Sequence, residues 1–196
     1  VVLDRPLQVT TFRREGPYLD GRRPQEVQLG VTLLEDLARR DFTVNAMAYN
    51  PLTDTYVDPY GAQKELLEKN VVIKTVGPPE QTFDDDALRL LRAFSLWAKL
   101  YPHVEKVSIH GETKRAIMAK APGLKRISGE RIQQELNKIL TSAVPHLCFQ
   151  EMARLKLLSQ FLPELCQSQG DLALEKPQIL ALVPPELSLR LAALFL

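Results

Sequence analysis

Two short runs hold the residue types and spacings that can do chemistry: Arg39, Arg40 and Asp41, and then Asp84, Asp85, Asp86, Arg89 and Arg92. Arg-Arg-Asp between a short helical stretch and an apolar strand can aim two guanidiniums at a polyphosphate, while the carboxylate orients one of them or supports a metal site. The same triplet also suits a helix that ends in favourable cations. In a helix beginning at Asp84, 100° per residue brings Asp85, Arg89 and Arg92 within about 60° of one another, with Asp86 alongside. Ala87, Leu90, Leu91, Phe94 and Ala98 then cover the opposite side. A carboxylate accepts from the exocyclic amine of cytosine or adenine, and a guanidinium donates to the ring nitrogen or carbonyl beside it. Such a pair reads a Watson–Crick edge without a nucleic-acid template, and guanine and uracil present the wrong donors and acceptors. The plainer alternative is an i,i+4 Asp–Arg pair on a wet helix face.

The elements that must position these groups change character near Pro78 and Pro79. Before that point PLQVTTF (6–12), AMAYN (46–50), TYVDP (55–59) and VVIKTV (71–76) read as strands, bounded by turn residues such as Asn50, Pro51, Asp54 and Gly77. After it, residues 84–100, 111–121, 128–142, 145–162 and 184–196 repeat apolar residues near every 3.6 positions and read as helices. The economical architecture is α+β, a small sheet-containing part followed by a helical part. Residues 15–28, EGPYLDGRRPQEVQ, read as a long polar loop with Arg22 and Arg23 adjacent.

The chain has 196 residues and a net charge of +1, so no global field announces a nucleic-acid partner. Residues 101–150, however, hold eight Lys and Arg against four Glu, a basic stretch that suits phosphates or an ordinary solvated helix face. No stretch approaches the roughly 18 apolar residues of a membrane span, and no secretory signal is visible, so a cytoplasmic protein without a membrane partner is expected. Cys148 and Cys166 lack zinc or disulfide-scaffold spacing, and His103, His110 and His146 are isolated, so no metal ligands are expected among them. The sequence starts without methionine and stops in an apolar run, from which a chain lacking its beginning is expected.

RRDFTVNAMAYNP, VDPYGAQKEL, IKTVGPPEQTFDDDALRLLRAFSLWAKL and ISGERIQQELNKIL follow one another over roughly residues 6–165. In order and spacing they resemble the motifs of the class II tRNA nucleotidyltransferases, the CCA-adding enzymes, and their relatives the bacterial poly(A) polymerases. TTFRREGPYLDGRRPQEV is similar to the family's mobile loop beside the active site. The resemblance implies part of a polymerase-beta-like nucleotidyltransferase head with a small mixed sheet (1–78). A helical neck carrying the base-reading helix (79–143) and the start of a tRNA-binding helical body (144–196) would follow it. It implies addition of CMP and AMP from CTP and ATP to the 3′ end of tRNA, with Mg²⁺.

Residue by residue, Arg40 matches the triphosphate-binding Arg of the RRD motif, flanked by Arg39 and Asp41. Asp86, Arg89 and Arg92 match nucleotide-binding positions of the E-D-x-x-R helix, and Asp85 matches its Glu. Lys125, Arg126 and Arg131 are the expected RNA contacts. Departures from the family pattern are Asp85 for Glu, Ser95 for a further Arg, Ala62 for the second Gly of D-P-x-G-G, and Gln8 at an often acidic strand position. The family's G-G-x-x-R-D segment and metal-binding D-x-D pair find no match, so no catalytic carboxylate is assigned and these 196 residues alone are expected to be inactive. Poly(A) polymerase, CC-only or A-only addition, and a non-catalytic RNA-binding protein stay open as alternatives.

Overall fold

The structure, a computed structural model, describes residues 9–16, 26–166 and 176–195. The first half of the expected PLQVTTF strand with Gln8, and the part of the polar loop holding Arg22 and Arg23, lie outside the described residues.

Among the described residues, strand content falls in three separate two-stranded ribbons rather than one sheet. β1 (Arg13–Glu15) pairs antiparallel with β2 (Val27–Leu29). Residues 9–12 are not strand, and both ends of the expected loop are. The ribbon is largely solvent-facing, so its place is set by ladder hydrogen bonds that hydrophobic alternation does not mark. β3 (Ala48–Asn50) and β4 (Thr55–Val57) form the second antiparallel ribbon, close to the sequence reading.

The third ribbon is a correction. β5 (Asn70–Ile73) pairs in parallel with β6 (Lys106–Ile109), a strand that lies inside the half read as wholly helical. Val107 and Ile109 alternate with Lys106 and Ser108, a period-2 signal too short to stand out among helices. Parallel pairing needs a long crossover, which α3 (Pro79–Asp85) and α4 (Arg89–Leu100) supply.

That crossover overturns the single helix expected from Asp84. Asp86 is extended, with φ −150° and ψ 106°, and separates the two helices. Three consecutive carboxylates at a helix C-terminus oppose its dipole, and Asp86 instead accepts the Leu88 N–H at 3.0 Å and starts the next turn. Asp85 therefore ends α3 while Arg89 and Arg92 belong to α4. The expected apolar side survives: Leu90, Leu91, Phe94 and Ala98 are buried in one core with Phe42, Ile73, Ile117, Ile139 and Phe149.

Around α4 pack α5 (Gly111–Lys120), α6 (Gly129–Leu140), α7 (Pro145–Arg154) and α8 (Leu187–Phe195). Upstream, α1 (Leu33–Ala38) opens with a capping box: Thr32 accepts the Glu35 N–H, and the Glu35 carboxylate accepts the Thr32 N–H at 2.9 Å. Buried Arg190 of α8 donates to the carbonyls of Leu140, Ser142 and Val183, closing the C-terminal end of α6 with a side chain.

α7 stops eight residues short of the helix expected over 145–162. Lys156 takes a left-handed φ of 56°, Leu157 N–H bonds Met152 O at 2.9 Å, and Lys156 N–H bonds Ala153 O at 3.0 Å. This is a Schellman stop with Lys where Gly is usual. Lys156→Gly is expected to raise stability by about 0.5–1 kcal/mol, read as a higher urea midpoint; an unchanged or lower midpoint would contradict strain at this turn.

Candidate nucleotide site

A cleft of about 1270 Å³ lies between the β1 ribbon, the turn after α1, and the paired helices α4 and α6. Small-molecule sites run to roughly 300–1,000 Å³, so the cleft has room for a nucleotide and a further group. Eight Lys and Arg line it against four Asp and Glu, a surplus suited to a polyanion.

The capping box fixes where α1 begins, and so where Asp36 stands relative to Arg39 and Arg40, which line the cleft. Asp36 is 2% exposed and accepts from Arg39 Nη2 at 2.6 Å, Arg40 Nη2 at 3.0 Å and the Arg13 backbone N–H at 3.2 Å. Arg39 also donates to Glu15 at 3.0 Å across the ribbon. The carboxylate that orients the two arginines is therefore Asp36 at i−3 and i−4, not Asp41. Burial alone would raise the Asp36 carboxyl. The Arg39 guanidinium, the Arg13 N–H and the Arg40 guanidinium outweigh it and hold the group below its ordinary value of 3.8.

Asp41 faces the other way. Its Oδ1 accepts from Phe42 N–H at 2.9 Å and Asn45 Nδ2 at 3.2 Å, and its Oδ2 accepts from Arg92 Nε at 2.6 Å. Burial lowers the Arg92 value, but the carboxylates of Asp41, Glu135 and Asp86 more than offset this and hold the guanidinium more firmly protonated than usual.

On the facing helix, Arg131, Glu135 and Lys138 follow at i, i+4 and i+7 and all line the cleft. Arg131 reaches both oxygens of Asp86, at 2.7 and 3.4 Å. Glu135 is 4% exposed and accepts from Ser95 Oγ at 2.5 Å and Lys138 Nζ at 2.7 Å. Arg89 donates to Thr82 O at 3.3 Å and lies 4.0 Å from Asp85.

Of the expected site residues, Arg39, Arg40, Asp41, Asp86, Arg89 and Arg92 line this one cleft, and Asp85 flanks it through Arg89. Arg131, expected beside Lys125 and Arg126 as an RNA contact, sits in the cleft, while those two are exposed elsewhere on the surface. Sequence reasoning passed over Glu15, Asp36 and Glu135, and counted Lys138 only within the basic stretch 101–150. Helical spacing marks Asp36 against Arg39 and Arg40, and Glu135 against Arg131; Glu15 pairs with Arg13 two residues back in its own strand, and no local signal marks its bond to Arg39, 24 residues away.

Residues 2–72 match the family described as "Poly A polymerase head domain", and residues 106–168 match "Probable RNA and SrmB- binding site of polymerase A". The CCA-adding enzyme of Anoxybacillus flavithermus is 37% identical over 174 residues, covering 88% of this chain and 42% of that protein. The chain belongs to the class II tRNA nucleotidyltransferase and poly(A) polymerase family. The CCA-adding enzyme of Geobacillus thermodenitrificans is 41% identical over 160 residues, covering 82% of this chain and 37% of that one. A crystal structure of the Bacillus stearothermophilus CCA-adding enzyme in complex with CTP superposes with a TM-score of 0.68 at 31% identity, over 88% of this chain and 38% of that one. A CCA-adding enzyme complex with ATP superposes at 0.55 and 32% identity, over 66% and 30%. The chain thus spans about two fifths of the length of the curated relatives it matches.

The depressed Asp36 carboxyl makes its share of stability complete above the unfolded value of 3.8 and lost as pH falls through the lower folded value. Asp36→Asn is expected to cost about 2 kcal/mol near neutrality and to flatten the decline below about pH 4 in urea unfolding. An acid limb as steep as the wild type's would remove Asp36 as its source.

Proposed function

We propose that the protein carrying this chain adds CMP and AMP, from CTP and ATP, to the 3′ end of tRNA without a nucleic-acid template. One observation carries the reading: Asp86 and Arg89 stand on the wall of a cation-rich cleft, each held by a different partner and not by the other. The carboxylate stays free to accept an exocyclic amine and the guanidinium to donate to the adjoining ring nitrogen or carbonyl, which selects C and A. Arg40 and Arg92, both partly exposed, would hold the triphosphate at the other side of the cleft, with Arg39 and Asp41 framing them. Lys125 and Arg126 would meet the RNA backbone outside it. The likeness to CCA-adding enzymes crystallised with CTP and with ATP supports the same assignment.

The division into head (1–78), neck (79–143) and body (144–196) belongs to this reading, with the β5–β6 ladder joining the first two. A cytoplasmic location belongs to it as well; among the described residues no helix is long and apolar enough to cross a membrane. A divalent metal, Mg²⁺ in this reading, would activate the 3′-hydroxyl and neutralise the leaving pyrophosphate. Among the described residues no three His, Cys, Asp or Glu side chains converge to hold one, and Asp41 and Asp86 are each engaged by a guanidinium. The metal is therefore not placed on these residues, and no step is derived through it.

The test is tRNA ending before CCA, given to the whole protein with each nucleotide singly and then with CTP and ATP together. CCA addition gives a product three residues longer only with both, poly(A) synthesis gives a long ladder with ATP alone, and retention without extension marks an RNA-binding protein. Arg40→Ala is expected to raise KM for CTP and ATP alike, by tenfold or more for a lost charge-assisted pair of ~1.5–3 kcal/mol. Arg89→Ala is expected to lose about tenfold in discrimination against UTP and GTP. Equal losses for all four nucleotides in Arg89→Ala would end its base-reading role.

A further inference from the structure

Asp86 lies between the two helices, and the Leu88 N–H holds one of its side-chain oxygens, Oδ1. Its nearest strong cation along the chain is Arg89, and direct pairing of the two would consume both groups that face a base. The structure shows another arrangement. Arg131 arrives from α6, 45 residues away, and takes both Asp86 oxygens through its two terminal nitrogens, while Arg89 is drawn aside to the Thr82 carbonyl and Asp85. A guanidinium fork of this kind fixes the plane of a carboxylate, which a point charge does not. The Leu88 N–H holds Oδ1 from the backbone side, leaving Oδ2, beyond its 2.7 Å bond to Arg131, to accept from a ligand in the cleft.

We propose that Arg131 is a positioning residue for base selection: its fork sets the plane of the Asp86 carboxylate and keeps it from collapsing onto Arg89. The inference rests on the function proposed above and assigns Arg131 to nucleotide choice, not to the RNA backbone. Its neighbours on α6 brace the fork. Glu135, one turn on, is tied to Ser95 of α4, so the helix that carries Arg131 is registered against the helix that carries Arg89.

Arg131→Lys separates the two roles, because lysine keeps the charge a phosphate needs and loses the fork an oriented carboxylate needs. In the whole protein, with tRNA ending before CCA, kcat/KM is measured for CTP, ATP, UTP and GTP, alongside KM for the tRNA. Arg131→Lys is expected to raise the UTP:CTP and GTP:ATP ratios about tenfold, the scale of one bidentate contact, with KM for tRNA unchanged. Wild-type ratios in Arg131→Lys, with any loss in Arg131→Gln confined to KM for tRNA, would overturn the role. An Asp86→Asn background guards against a folding artefact: there Arg131→Lys should leave the ratios where Asp86→Asn alone puts them, and a full independent effect would again overturn it. A wild type that adds nothing, or adds all four nucleotides alike, would instead sink the proposed function, an outcome separable from a selective wild type with an indifferent Arg131.

Discussion

The ion pair between Asp41 and Arg92 is the constraint on which the cleft depends, because it joins the turn after α1 to α4 across 51 residues of sequence. Asp41 reaches Arg92 only because its other oxygen is spent on the Phe42 N–H and the Asn45 amide, which fix the carboxylate to its own turn. Phe42, fully buried beside it, anchors that turn in the core. The pair is partly buried, with the Asp41 side chain 7% exposed, so removing one partner would strand a charge and not merely lose a surface contact.

The same logic runs around the cleft. Guanidiniums gathered to receive a polyanion repel one another, and an empty cleft has to hold them in place by other means. Three of them are tethered by carboxylates: Arg39 and Arg40 by Asp36, and Arg92 by Asp41. A tether of this kind keeps direction as well as charge, so an incoming phosphate meets donors already aimed and less rotamer freedom is lost on binding.

The sequence made the apolar half of this arrangement easy to read and the polar half hard. Leu90, Leu91 and Phe94 recur at helical spacing, and the helix they imply is present with its buried face where expected. Its start was misplaced because Asp84, Asp85 and Asp86 read equally well as a helical first turn and as a stop; only the extended backbone at Asp86 decides between them. Strand β6 was lost for a related reason, since four residues that pair with a strand 36 positions earlier leave almost no local trace. For the cleft, residue types pointed to side chains that the fold brings together, while their partners were legible only where both lie on or at the end of one helix. Asp36 with Arg39 and Arg40 is such a case; Asp86 with Arg131, and Glu15 with Arg39, are long-range pairs that tertiary packing creates.

That division has a consequence for how the cleft can change. The wall made by α4 is fixed by the core, and the wall made by α6 is held by Ile139 and Leu140 in that core, by Arg131 on Asp86 and Glu135 on Ser95, and by Arg190 on the carbonyls at its C-terminal end. Arg190 is buried and donates to three carbonyl oxygens, and burial lowers its value. Three carbonyl acceptors offset part of that desolvation, and in exchange the helix end is closed by a group belonging to α8. Residues 187–195 are far in sequence from the residues that line the cleft, yet Arg190 closes the end of the helix that presents Arg131, Glu135 and Lys138. The geometry of the cleft is therefore shared between its lining residues and a distant helix that acts on it through Arg190.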